Sequence, residues 1–163
     1  MRKTFSVTMM IIMLITYACT NRQNNTPSSH TDKANRQNTK RMNSHIAIFE
    51  IAASDISRAI HFYETVLDLK IEKITMPGME MGLLPYKDQM VTGVIIKAEG
   101  YAPSPKGVTI YLNAGNDLQV VLDKIEKNGG KIVTPKTPHA DENGYFALFL
   151  DSEGNRIGLH SPN

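Results

Sequence analysis

Few side chains in this 163-residue chain have the type and setting that chemistry requires. Cys19 is the one cysteine, and the five histidines (His30, His45, His61, His139 and His160) are dispersed. No Ser-x-x-Lys, Gly-x-Ser-x-Gly, His-Glu-x-x-His or dinucleotide-binding pattern occurs. No cysteine cluster is available for zinc. A catalytic or binding site therefore has to be assembled from residues far apart in the sequence. Glu50 is the one acid inside the apolar run His45–Ala52. His61 follows a core-type position, Ile60, on a helical stretch and is expected in solvent. His139 sits in a polar loop beside Asp141 and Glu142, as part of a lid or simply solvated. Met76, Met79, Met81 and Met90 supply flexible apolar side chains that suit an adaptable pocket, a packed core or a dimer seam.

The elements that must position these residues can be read from pattern. His45–Ala52 is apolar with one interior acid, as a half-polar strand should be. Ser54-Asp55 can cap a helix, in which Ile56, Ala59, Ile60, Tyr63 and Val66 or Leu67 recur at helical spacing. Lys70–Thr75, Glu80–Pro85 and Val91–Ala98 read as three strands, with a turn at Pro77-Gly78. The order then repeats: strand Val108–Asn113, helix Asp117–Lys127 closed by Gly129-Gly130, then strands Lys131–Thr134, Tyr145–Leu150 and Arg156–His160. Asp151-Ser-Glu-Gly-Asn155 has turn composition, with Gly154 free to take positive φ. The second helix starts about 62 residues after the first, so the duplication predicts one α+β domain of two βαβββ modules, about 45–100 and 105–163. Neither module is large enough to stand alone.

Three segments together resemble the glyoxalase, bleomycin-resistance and extradiol-dioxygenase superfamily, the vicinal oxygen chelate fold. They are Phe49-Glu50-Ile51 with Asp55-Ile56 and Ala59–Glu64, then Asn128–Val133, then Phe149–His160, and the resemblance spans His45–Ser161. It implies a curved, partly open mixed sheet around a cavity, often in a homodimer. Metalloenzymes of this superfamily hold a divalent metal with histidines and carboxylates on cavity-facing strands. Carried onto this chain, those positions fall on Ile48, near Thr109 and on Gly158, with the remaining one within Gly93–Lys97, where no His or Glu exists. Such residues offer no metal-binding set, so no metal or other cofactor is expected at the usual position.

If Ile48 faces the cavity, a period of two turns Glu50 and Ala52 the same way, Tyr111 with Thr109, and His160 with Gly158. Ile48, Glu50, Thr109, Tyr111, Gly158 and His160 are thus the expected ligand-binding residues. Glu50, His160 and Tyr111 are the candidates for catalysis, as a desolvated carboxylate base with an acid partner. Alternatively, Glu50 and His160 form a hydrogen-bonded structural pair, or join a third ligand in a rearranged metal site.

The N-terminus reads differently. Arg2-Lys3 precedes an apolar stretch, Phe5–Tyr17, and Ala18-Cys19 follows. This is the layout of an export signal, too short for a spanning helix; an uncleaved anchor is the alternative. Leu14–Cys19 resembles the lipobox of bacterial lipoproteins, with Thr16 where leucine is usual. The expectation is a signal peptide at 1–18, lipid attachment at Cys19, and a disordered tether over 19–44. Thr20 after the cysteine favours the outer membrane over the inner; secretion without lipid is the alternative. Residues 21–43 carry about +4 and residues 45–163 about −4, so the chain's basic balance belongs to its leader and tether. Nucleic acid is not an expected partner of the acidic folded part. The expected partners are a small organic molecule, a membrane through the anchor and a second copy. The leading expectation is a cell-envelope small-molecule-binding protein. A lyase or isomerase for a small carbonyl compound and a non-catalytic interaction module are the competing classes.

Overall fold

Asp55 fixes where the first helix begins. Its extended backbone and its carboxylate, which accepts from the amides of Ser57 and Arg58 at 3.0 Å each, cap α1, Ile56–Leu67. Replacing such a cap by alanine typically costs about 1 kcal/mol. Ile56, Ala59, Phe62, Tyr63 and Val66 bury one face of α1, and Asp68 ends it in the left-handed conformation. The computed structural model describes residues Ser44–Asn163. The expected signal peptide at 1–18, Cys19 and the tether through residue 43 lie outside the described residues.

Around α1 stand β1 (Ile48–Ala52), β2 (Glu72–Met76), β3 (Met79–Leu83) and β4 (Thr92–Ala98), in the order β1-β4-β3-β2. The second half repeats this with β5 (Tyr111–Asn113), α2 (Gln119–Ile125), β6 (Lys131–Pro138), β7 (Tyr145–Leu150) and β8 (Arg156–Ser161), in the order β5-β8-β7-β6. In each sheet the outer pair, β1 with β4 and β5 with β8, is parallel and the rest is antiparallel. The expected α+β duplication of two βαβββ modules is therefore present, as two separate four-stranded mixed sheets that do not close.

Strand alternation gives each sheet one face toward the helices. Ile51 pairs with Ile95, and Ile95 with Gly82. A Cβ at Gly82 would stand 2.8 Å from Ile60 of α1, so glycine lets the helix approach the sheet. Leu112, Leu159 and Ala147 form the matching row of the second sheet, and all belong to one core with Ile51, Phe62, Leu118 and Leu122. Phe62 of α1 lies 6.1 Å from Phe149 of β7, which ties the modules through the helix side of the sheets. Tyr63 Oη donates to the buried Asp151 carboxylate at 2.7 Å across the same junction.

Some bounds differ from expectation. β1 starts at Ile48 rather than His45, and β5 at Tyr111 rather than Val108. β6 runs past Thr134 to Pro138 through two register irregularities. Pro135 and Pro138 lack the N–H that a regular ladder uses, and an edge strand tolerates this. The second helix is shorter: α2 begins at Gln119, and a 3-10 turn over Glu126–Asn128 follows, ended by Gly129 at φ 90°. Among the described residues no helix is long and apolar enough to cross a membrane.

Candidate functional site

The face of each sheet turned away from the helices is open. On the first sheet Glu50 lies beside Val94, which lies beside Leu83, and Ile48 beside Thr92. Ile48 is 62% exposed although apolar. Glu50 does not stand alone: Tyr101 Oη, from the segment between the modules, donates to Glu50 Oε2 at 2.9 Å. The hydrogen bond and the negative charge of Glu50 raise the Tyr101 phenol above its ordinary pKa. Ile96, on the same face, is buried although it lies outside the main core.

On the second sheet the expected residues come together. Tyr111 pairs with Gly158, and Asn113 with His160. A Cβ on Gly158 would overlap the Tyr111 ring, so the ring occupies the space that any side chain at 158 would need. Arg156, two residues before Gly158 and so on the same face, donates from Nε to Thr109 Oγ1 at 3.0 Å. Tyr111, Asn113, Gly115, Asn116, His160 and Pro162 line an open cavity of about 700 Å³, within the range of small-molecule sites. His160 Nε2 lies 3.1 Å from the Asn143 carbonyl oxygen, and the His139 ring is 5.3 Å away.

Glu50 and Ile48 thus belong to one sheet, and Thr109, Tyr111, Gly158 and His160 to the other. Glu50 and His160 have different hydrogen-bond partners and none in common among the described residues. Tyr101 and Arg156 were not singled out by sequence. The signal for Tyr101 was an aromatic residue in the Gly- and Pro-rich connection between the modules. Strand alternation from Gly158 would have found Arg156.

The positions that the resemblance assigns to a divalent metal do not suit one. Ile48 has no donor atom, the Thr109 oxygen already faces a guanidinium, and the Gly158 position is covered by an aromatic ring. Among the described residues no three His, Cys, Asp or Glu side chains converge. What the open faces offer is a carboxylate acceptor with a phenol beside it, a fixed cation, an imidazole and exposed aromatic surface. Those groups can orient an organic molecule by stacking and by charge-assisted hydrogen bonds.

The profile of the Glyoxalase/Bleomycin resistance protein/Dioxygenase superfamily matches residues 44–159. A glyoxylase-like domain-containing protein of Didymella fabae is 30% identical over 115 residues, covering 68% of this chain and 88% of its own. Among solved structures, an antibiotic-binding protein of Streptomyces sp. CB03234, TnmS3, superposes with a TM-score of 0.54 at 20% identity, covering 74% of this chain and 97% of its own. A glyoxalase I variant from Zea mays superposes with a TM-score of 0.55 at 22% identity over 71% of this chain. This chain spans only 45% of the maize enzyme's length.

Proposed function

The chain belongs to the glyoxalase/bleomycin resistance protein/dioxygenase superfamily, and we propose that within it this protein binds a small organic molecule without the divalent metal at the usual position. The observation that carries this reading is the Tyr111 ring lying on Gly158, with Arg156 held at Thr109. Together they turn the metal position into a stacking surface beside a fixed cation. The likeness to an antibiotic-binding protein supports the same reading.

A homodimer fits this function. Ile48, Tyr101 and Tyr111 are exposed by 62%, 41% and 48%, more apolar surface than the open faces need if they remain in water. Joining the first sheet of one copy to the second sheet of another would bring Glu50 toward His160. That arrangement is also what the lyase or isomerase reading requires, since one chain carries the two groups on different sheets. The Glu50–Tyr101 hydrogen bond favours this second reading, because it sets a carboxylate beside a hydroxyl that can carry a proton. From the leader's residues we infer export, with lipid on Cys19 and a cell-envelope location. Mass spectrometry of the mature N-terminus tests that inference, and an unlipidated residue there would leave a secreted protein.

Binding is tested by NMR titration of the purified protein with bleomycin and with a panel of small planar aromatic acids. The expected result is saturable shifts at Tyr111 and His160, weakened by Tyr111→Ala in a folded protein. Binding unchanged by that substitution, or no saturable shift with any probe, would overturn the site. Sedimentation of the same sample reads the oligomeric state.

A further inference from the structure

His139 and His160 form a pair at the edge of the open cavity, and the proposed stacking site gives His139 no role. His139 follows β6, and His160 lies on β8, where it is the register partner of Phe146 on β7. The His139 ring packs 5.0 Å from Phe146 and 5.3 Å from His160, ring centre to ring centre. The loop that carries His139 is tightly folded. The His139 amide donates to the Gly144 carbonyl at 2.9 Å, and the Glu142 amide returns a bond to the His139 carbonyl at 3.1 Å. Gly144 has φ 92°, and a Cβ there would overlap the Ser161 carbonyl, so the loop is seated directly on β8.

Two features of this pair point to a ligand. His139 Nε2 is shielded from solvent and has no hydrogen-bond partner among the described residues. A buried polar atom left without a partner is costly, and a ligand on it would remove that cost. Beside it, His160 Nε2 and the Asn143 carbonyl oxygen stand 3.1 Å apart. Two donors that bind one ion at about 2.0–2.2 Å from neighbouring positions are separated by about that distance. An ion set to one side of the line between these two atoms would reach both, in place of the hydrogen bond that now joins them.

We propose that His139 and His160 bind a late first-row divalent cation, Cu²⁺ or Zn²⁺, with the Asn143 carbonyl oxygen as a third donor. The two imidazoles are borderline ligands that favour these ions over Mg²⁺ or Ca²⁺, and the carbonyl oxygen is a harder donor that completes the set. The Asp141 carboxylate, held by the Asn143 side-chain amide at 2.8 Å, lies on the same loop as His139 and would offset the charge of the ion. His160 also lines the open cavity, so the remaining coordination positions face a space that a small molecule can enter. This site is distinct from the superfamily's usual metal position at Ile48, Thr109 and Gly158, and it stands whether or not the open faces bind an organic molecule.

The test uses the full chain and the metal alone. Calorimetry with Zn²⁺ and electron paramagnetic resonance with Cu²⁺ are expected to give one bound ion per chain, with hyperfine coupling to two nitrogens. Loss of even an outer-sphere partner costs roughly 10–100-fold in affinity, so His139→Ala and His160→Ala should each weaken binding by at least that much. His45→Ala and His61→Ala should leave it unchanged. Should either alanine variant misfold, Zn²⁺ titration of the unmodified protein followed by histidine ring resonances decides instead: His139 and His160 must shift together and to one stoichiometry. Affinity unaffected by both alanine variants, absence of stoichiometric uptake, or shifts confined to other histidines would overturn the proposal.

Discussion

Tyr101 and Glu50 meet at 2.9 Å although 51 residues separate them, joining the segment between the two modules to the open face of the first sheet. The phenol donates and the carboxylate accepts, and this contact holds the phenol's proton more tightly than water would. Glu50→Gln removes the charge and weakens the acceptor. Tyr101 is then expected to ionise closer to the ordinary tyrosine value of about 10. Site-resolved NMR titration of ring-labelled tyrosine checks this, and a Tyr101 curve unmoved by the substitution would show that the contact is absent in solution.

Tyr63 and Asp151 make the buried counterpart of that contact. Burial, and then the negative charge of Asp151, push the Tyr63 phenol well above its usual pKa. A folded-state value raised above the unfolded one gives stability that is fully present below about pH 10 and is lost as pH rises through the folded value. Tyr63→Phe should lower stability at neutral pH by about 1–3 kcal/mol, because Asp151 loses a donor in a buried setting. Its stability should then fall less steeply than that of the parent protein above pH 10. Denaturant unfolding at pH 7 and pH 11 measures both effects.

Glu153 works at the acid end of the pH scale. Its fully buried side chain accepts from the Ser54 amide and hydroxyl at 2.8 and 2.7 Å, the Asp55 amide at 3.0 Å and Arg58 Nε at 2.7 Å. Desolvation pushes its pKa up, but Arg58 and the Ser54 and Asp55 donors outweigh that and hold the carboxyl below its ordinary range. A depressed folded-state value gives stability that is present above the unfolded pKa of about 4.3 and lost as pH falls through the folded one. Glu153→Gln is therefore expected to be less stable at pH 7 and to lose less on acidification below pH 4. Thermal unfolding between pH 3 and pH 7 resolves the difference.

These contacts mark where sequence reading stops. The two modules were legible because helical spacing in Ile56–Val66 and Leu118–Ile125, with turn residues between strands, repeats at a fixed distance. Alternation also put Glu50 with Ile48, and His160 with Gly158, on their own strands. A period of two assigns a face within one strand, but it does not say which sheet edges meet. That depends on how α1 packs against Phe149 and how Asp151 meets Tyr63, contacts made across 88 or so residues. Glu153, Tyr101 and Arg156 were missed for the same reason. Each is an ordinary polar or aromatic residue in its own segment and gains its role only from a partner 47 to 99 residues away.

Gly158 and Tyr111 provide the most direct test of the site, because the two positions compete for one space. A methyl group on Gly158 would overlap the Tyr111 ring, in a sheet where Gly158 is buried between Tyr111 on β5 and Leu148 on β7. Overpacking of this kind typically costs about 1–3 kcal/mol. Tyr111 is 48% exposed, so its ring can swing outward and the penalty should fall at the low end of that range. In a Tyr111→Ala background the clash has no partner, and Gly158→Ala should then cost much less. A double-mutant cycle on unfolding free energy isolates the coupling. The same pair separates packing from binding. If the ring on Gly158 is the surface that receives a ligand, Gly158→Ala should weaken binding of any aromatic probe even where stability is nearly unchanged. Tyr111→Phe, which keeps the ring, should preserve it. Equal affinity in Gly158→Ala and the parent protein would mean that the ring fills the position for packing alone.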